Sequence, residues 1–151
     1  MTVTREDKTN STAVALFAPA VVTESKLAIP ALSLSGWDSV MFVATIGASG
    51  DELGEARFIE IELMESNNNA DGAQFKSCSN DAVLNAVAGT NSGTIAKLQA
   101  VPAGGAIVQA AYIGHCTFVR PVIRLTGEHQ NGTIIGIQAV LRGAKYRPVK
   151  G

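Results

Sequence analysis

Residues 119–125 and 135–141 set the strongest limit on how this chain can fold. Val119, Ile123 and Leu125 alternate with Arg120 and Arg124, and beyond Asn131-Gly132 the positions Ile135, Ile137, Ala139 and Leu141 alternate again. Period-two spacing puts one set of side chains on each face of an extended strand, so one face is offered to a core and the other to solvent. Asn-Gly supplies the positive φ angles that a tight reversal demands, so residues 112–142 read as a β-hairpin.

The same grammar runs through the rest of the chain. In residues 57–64, Ile59, Ile61 and Leu63 alternate with Glu60 and Glu62, which predicts a half-exposed strand with an acidic outer face. The run Val40 to Ile46 is apolar at every second position of both sets and is bounded by Gly47 and Gly50, as expected of a central strand covered on both sides. Residues 13–22 and 27–34 are apolar but interrupted by Pro19 and Pro30, which confines them to sheet edges. Residues 94–101 and 106–113 read as further strands, residues 74–79 as a short one, and residues 81–88 as one or two turns of helix. These elements predict an all-β fold, an antiparallel β-sandwich or jelly-roll-like barrel of about 7–9 strands with little helix. A polar N-terminal arm, residues 1–11, precedes one β-sandwich domain, residues 12–151.

Composition narrows the partners. Only 17% of residues are charged against 46% hydrophobic, so the solvated surface rests on Ser, Thr, Asn, Gln and Gly, which suits docking against protein. A net charge of -1 provides no footprint for direct nucleic-acid binding. The run AVALFAPAVV is too short to span a bilayer and is broken by Pro19, so no membrane segment is expected. The start MTVTREDKTNS lacks the apolar core of a secretory signal, and synthesis in the cytoplasm is expected. Cys78 and Cys116 read as small apolar residues rather than a disulfide.

Candidate chemical motifs fail on spacing. Asn67-x-Asn69-x-Asp71-Gly72 imitates the first half of a calcium loop, but the twelfth position is Cys78 where a bidentate Glu is required. Gly89-x-x-x-Gly93-Thr94 is one residue short of a phosphate loop and lacks its lysine. His115 and His129 stand in no metal-ligand spacing, because neighbours such as His115 and Cys116 point to opposite strand faces. Glu60 and Glu62 share a face, as a glycosidase pair must, yet no aromatic platform lies beside them. The expectation is a protein that is not an enzyme, with no catalytic residue, cofactor or metal ligand.

Four stretches together carry a resemblance: APAVVTESKLAIPALSLSGWDSVMFVATIGA, FIEIELMESNNNADG, AYIGHCTFVRPVIRLTG and TIIGIQAVLRGAKYRP. With the glycine-aromatic pair Gly36-Trp37, the Glu65-Ser66 loop and the Tyr-x-Gly-x-x-x-aromatic-Val-Arg order of Tyr112 to Arg120, the chain from about Ala18 onward resembles the small β-sandwich virion proteins of tailed bacteriophages, a group that includes capsid decoration or cement proteins. It departs from them at His115-Cys116-Thr117, where an Asn with a basic residue is more typical. The resemblance implies a structural protein on the capsid surface of a virion, made in the host cytoplasm. It binds the major capsid protein, stabilises the shell and acts as a homo-oligomer, a trimer or dimer. The alternatives are a head-tail connector or tail component, and a carbohydrate-binding jelly-roll module, which the 5% aromatic content disfavours. The arm carries no core-forming pattern, and its Thr2, Arg5, Glu6, Asp7 and Lys8 are the residues assigned to partner contact.

Overall fold

The structure, a computed structural model, describes residues 10–70, 74–89 and 91–143, and within them the alternating segments become strands of two antiparallel sheets. In chain order they are β1 (Ser11–Val22), β2 (Leu32–Ser33), β3 (Ser39–Ser49), β4 (Phe58–Ser66), β5 (Lys76–Ser77), β6 (Val83–Leu84), β7 (Thr94–Leu98), β8 (Ala106–Tyr112), β9 (Phe118–Thr126) and β10 (Thr133–Arg142). The first sheet has the order β1-β10-β3-β8-β6. The second runs β2-β9-β4, and the far edge of β4 is shared by β7 and β5 at different heights. The chain is an all-β sandwich, with more strands than its sequence suggests because the two-residue β6 lies where turns of helix were expected.

The two sheets bury the predicted faces against each other. Val40, Phe42, Ala44 and Ile46 of β3 and Ile135, Ile137, Ala139 and Leu141 of β10 meet Ile59, Ile61 and Leu63 of β4 and Val119 and Ile123 of β9 in one core cluster. Each large side chain so buried contributes about 1.5–3 kcal/mol relative to an exposed one. Pro19 and Pro30 fall where edge strands tolerate them: β1 closes one edge of the first sheet, and its register slips around Pro19. Pro30 lies just ahead of β2, the outer strand of the second sheet.

Three expectations are corrected. β9 and β10 do not form a hairpin, because β9 pairs with β4 and β2 while β10 pairs with β1 and β3, so the connection crosses from one sheet to the other. A type I′ turn needs positive φ at both central residues, and here only Gly132, at +81°, has it. The reversal is held from outside instead. The Asp51 carboxylate accepts the N–H groups of Asn131 (3.0 Å) and Gly132 (2.7 Å), the Asn131 side-chain amide donates to the Gly50 carbonyl at 3.0 Å, and the Gly50 N–H donates to the Gly132 carbonyl at 2.8 Å.

The second correction concerns β3. It is central in its sheet, between β10 and β8, but only one of its faces is covered by the second sheet. The third concerns residues 81–88, which hold a 3-10 turn, Asn80–Ala82, followed by β6 rather than an α-helix. Val83 is buried opposite Tyr112, and Asn85 turns the chain at φ +71° while its side chain donates to the Gln109 carbonyl at 2.8 Å. Pairing with β8 satisfies the backbone better than so short an isolated helix could.

The N–H of Asn131 above all, then those of Gly132 and Gln130 and the charge of Arg57, hold the Asp51 carboxyl below its ordinary 3.8 against the opposing effect of burial. A depressed folded value means that the contribution of Asp51 is present above the ordinary value and is lost as pH falls through the folded one. Asp51→Asn is therefore expected to lower the urea midpoint at neutral pH, with the gap to the parent closing as pH falls from about 5 to about 2. A gap constant across that range would show that the charge of Asp51 does not hold the crossing.

Candidate functional site

The outer faces of the two sheets differ in chemistry. On the second, Glu60 of β4 lies in register between Arg124 of β9 and Lys97 of β7, and Glu62 accepts a bond from Arg124 Nε at 3.0 Å. Arg120 stacks over the Phe75 ring at 4.0 Å and Lys97 over Phe58 at 4.8 Å. The predicted acidic face thus alternates acids with bases: Glu62 is ion-paired with Arg124, and Glu60 is flanked by Arg124 and Lys97 in register. Val122, opposite Glu62 and between Arg120 and Arg124 on this face, is fully buried although it lies outside the inner core cluster. Long arginine stems are suited to covering such a residue.

On the first sheet the five strands together contain one charged residue, Arg142, at the end of β10. Across its middle, Gln138 of β10, Val43 of β3 and Gln109 of β8 stand side by side in register. Around that row the face is largely apolar: Ile107 is 66% exposed, Leu84 55% and Ile134 49%. Single exposed aliphatic residues are ordinary, whereas a face of five strands whose one charge is Arg142 at its margin is not. The sequence signal for it was the absence of charge from all of residues 11–22, 39–49 and 106–112.

At one end of the sandwich, Tyr112 reaches from the first sheet to the second. Its hydroxyl donates to Glu65 Oε2 at 2.5 Å and accepts the Cys116 N–H at 3.0 Å. A side chain at Gly114 would place its Cβ 2.5 Å from that hydroxyl, so the Tyr-x-Gly spacing is a packing requirement. Burial, with the charge and hydrogen bond of Glu65, pushes the Tyr112 hydroxyl well above its usual range and keeps it a donor. Burial first, then Glu65, also pushes the Cys78 thiol up to about 12, so at neutral pH it is protonated and inert. A cleft of about 480 Å³ borders this end, lined by Leu34, Trp37, Leu84, Tyr112, His115 and Cys116.

The remaining sequence candidates are engaged in the fold. Asn67 Oδ1 accepts the Thr117 N–H, Asn68 Oδ1 accepts that of Ala70, and residues 71–73 lie outside the described residues. Asn80 Oδ1 accepts the Gly93 N–H, and the Thr94 hydroxyl is buried against Ser92. His115 is exposed, whereas His129 is buried in the β9–β10 connection with Nε2 at 2.9 Å from the Thr126 carbonyl oxygen. Both cysteines are free thiols. Among the described residues no three His, Cys, Asp or Glu side chains gather as a metal site, and no helix is long and apolar enough to cross a membrane. The arm residues Thr2, Arg5, Glu6, Asp7 and Lys8 lie outside the described residues; Ser11 already belongs to β1, opposite Arg142.

Tyr112→Phe removes the hydroxyl and leaves the Glu65 carboxylate and the Cys116 N–H short of a partner. It is expected to destabilise the domain by about 1–3 kcal/mol in urea unfolding, and no change would mean that the bond is replaced by water. Thiol titration of the native chain with a maleimide is expected to label half-buried Cys116 and to reach Cys78 only after unfolding; equal labelling of both in the native state would contradict the buried environment of Cys78. No protein-family model, curated protein or solved structure matches the chain.

Proposed function

We propose that this chain is a structural virion protein that binds the outer surface of a tailed-phage capsid and reinforces the shell, and that it is not an enzyme. The observation that supports this reading is the outer face of the first sheet: five strands with one charge among them, on a sandwich whose other face is ion-paired. Water gains little from such a face, and covering it with protein is favourable by about 25 cal/mol per Å² of apolar area. A two-sheet scaffold with a packed core loses little entropy on docking, so a modest contact area still yields affinity. Repetition over a symmetric shell multiplies that affinity through avidity when copies are joined. The resemblance to phage decoration or cement proteins names the assembly, and the major capsid protein is the partner it implies.

Electron microscopy of particles with and without the protein tests the reading directly. Particles lacking it are expected to assemble, to lose density from the outer shell, and to break at lower temperature or lower ionic strength. Particles of equal robustness, or density confined to the tail, would overturn it. Deleting residues 2–9 spares β1 and is expected to leave the thermal midpoint of the isolated domain nearly unchanged while lowering its occupancy on particles. Unchanged occupancy would remove the arm from the contact.

A further inference from the structure

We propose that the outer face of the first sheet is covered by the same face of a second copy, related by a two-fold axis running across the strands along the Gln138–Val43–Gln109 row. The inference rests on the reading of the chain as an assembly component, and it assigns this face to contact between copies rather than to contact with the shell.

Self-pairing imposes a condition that few surfaces meet: the face must be complementary to itself. Charged faces fail because like meets like, and this one holds a single charge, Arg142, at the end of β10. A two-fold along the central row reverses the strand direction, so the two Arg142 side chains lie at opposite ends of the contact. The row itself falls on its own image, Gln138 against Gln138 and Gln109 against Gln109. A carboxamide carries both donors and an acceptor, so it can pair with its own kind, which neither a carboxylate nor an ammonium can do.

Size is matched as well. Ile107 and Ala111 lie on β8 one step to either side of Gln109, opposite Thr45 and Met41 of β3 respectively. The same rotation places Ile107 of each copy over the small Ala111 of the other. Val43 on the axis is 8% exposed, covered by its neighbours, so the two glutamines flanking it are the exposed members of the row.

The area reaches what association needs. Four strands about 4.8 Å apart, over about seven residues of about 3.4 Å each, with the two-residue β6 beside them, project to roughly 500 Å². Two pleated faces then bury on the order of 1,000 Å², the lower limit for a specific interface. The dimer is accordingly expected to be concentration-dependent in solution and to be consolidated where copies are held side by side.

Sedimentation velocity of the full 15.7 kDa chain tests this. The parent is expected to shift from the one-copy to the two-copy mass as concentration rises over about 1–200 µM. Ile107→Lys changes a 66% exposed residue, so it is expected to keep the parent's thermal midpoint while weakening association at least about tenfold. Gln138→Lys and Gln138→Glu, also on an exposed side chain, are each expected to sediment as one copy, and an equimolar mixture of the two to recover the two-copy mass. That recovery is particular to a two-fold that sets residue 138 against itself. A one-copy mass throughout, a three-copy mass, or single variants that associate like the parent would overturn the inference. Were the parent to remain one copy while Ile107→Lys lost its place on particles, the shell itself would cover the face. This inference would then fall and the shell-binding reading would stand. Were the dimer to form while particles without the protein proved equally robust, the reverse would hold.

Discussion

Two sheets that each have one continuous apolar face can hide those faces from water only against each other, and that constraint organises the whole molecule. The inward rows of β3 and β10 on one side and of β4 and β9 on the other form the single core, and most other elements add residues to it. The two-residue strands show this: β2 puts Leu32 and β6 puts Val83 into the cluster, and neither has the length to hold position without a longer neighbour. Packing of this kind is non-directional, so it fixes which faces meet but not the lateral register of one sheet on the other.

Two polar clasps at opposite ends add direction: one joins the two sheets, and the other fixes where the chain returns into the first. At one end the Tyr112 hydroxyl of the first sheet donates to Glu65 of the second, and the Cys116 N–H donates to that hydroxyl in turn. At the other end Asp51, just beyond β3, gathers the N–H groups of Asn131 and Gly132 as the chain returns from β9 to β10. The bond from Tyr112 to the Glu65 carboxylate, with its charged acceptor, is of a kind that contributes about 1.5–3 kcal/mol, and the bonds of both clasps, unlike apolar contacts, have direction. Together they join directionless packing to a defined alignment.

The outer faces carry the asymmetry that bears on function. The second sheet sets acids and bases side by side, with Glu62 ion-paired to Arg124, and the strands of the first carry one charge, Arg142. A sandwich that had only to be soluble could spread its charges over both faces at little cost, because outward positions are free of packing demands. Their concentration on one sheet makes the other the cheaper face to cover, since desolvating charges at a contact is costly and desolvating Ala, Val and Ile is not.

The sequence by itself determined the partition of side chains between inside and outside. Alternation is a local property of an extended backbone, so Ile59, Ile61, Ile135 and Ile137 could be placed inward, and Pro19 and Pro30 at edges, with no knowledge of neighbours. It also held the charge-free runs of residues 11–22, 39–49 and 106–112, although only their assembly into one sheet gives those runs a common face. Tertiary structure decided everything that depends on which strand lies beside which. The sheet crossing of β9 and β10 is set by Asp51, distant in the chain, so a local Asn-Gly signal read as a hairpin. Glu62 finds Arg124 and Tyr112 finds Glu65 across similarly long separations, which turned an expected acidic face into an ion-paired one and a tyrosine within a motif into a link between sheets. The physical reason is that β partners are chosen by the combined burial of many strands, whereas the period of a strand is fixed by its own backbone.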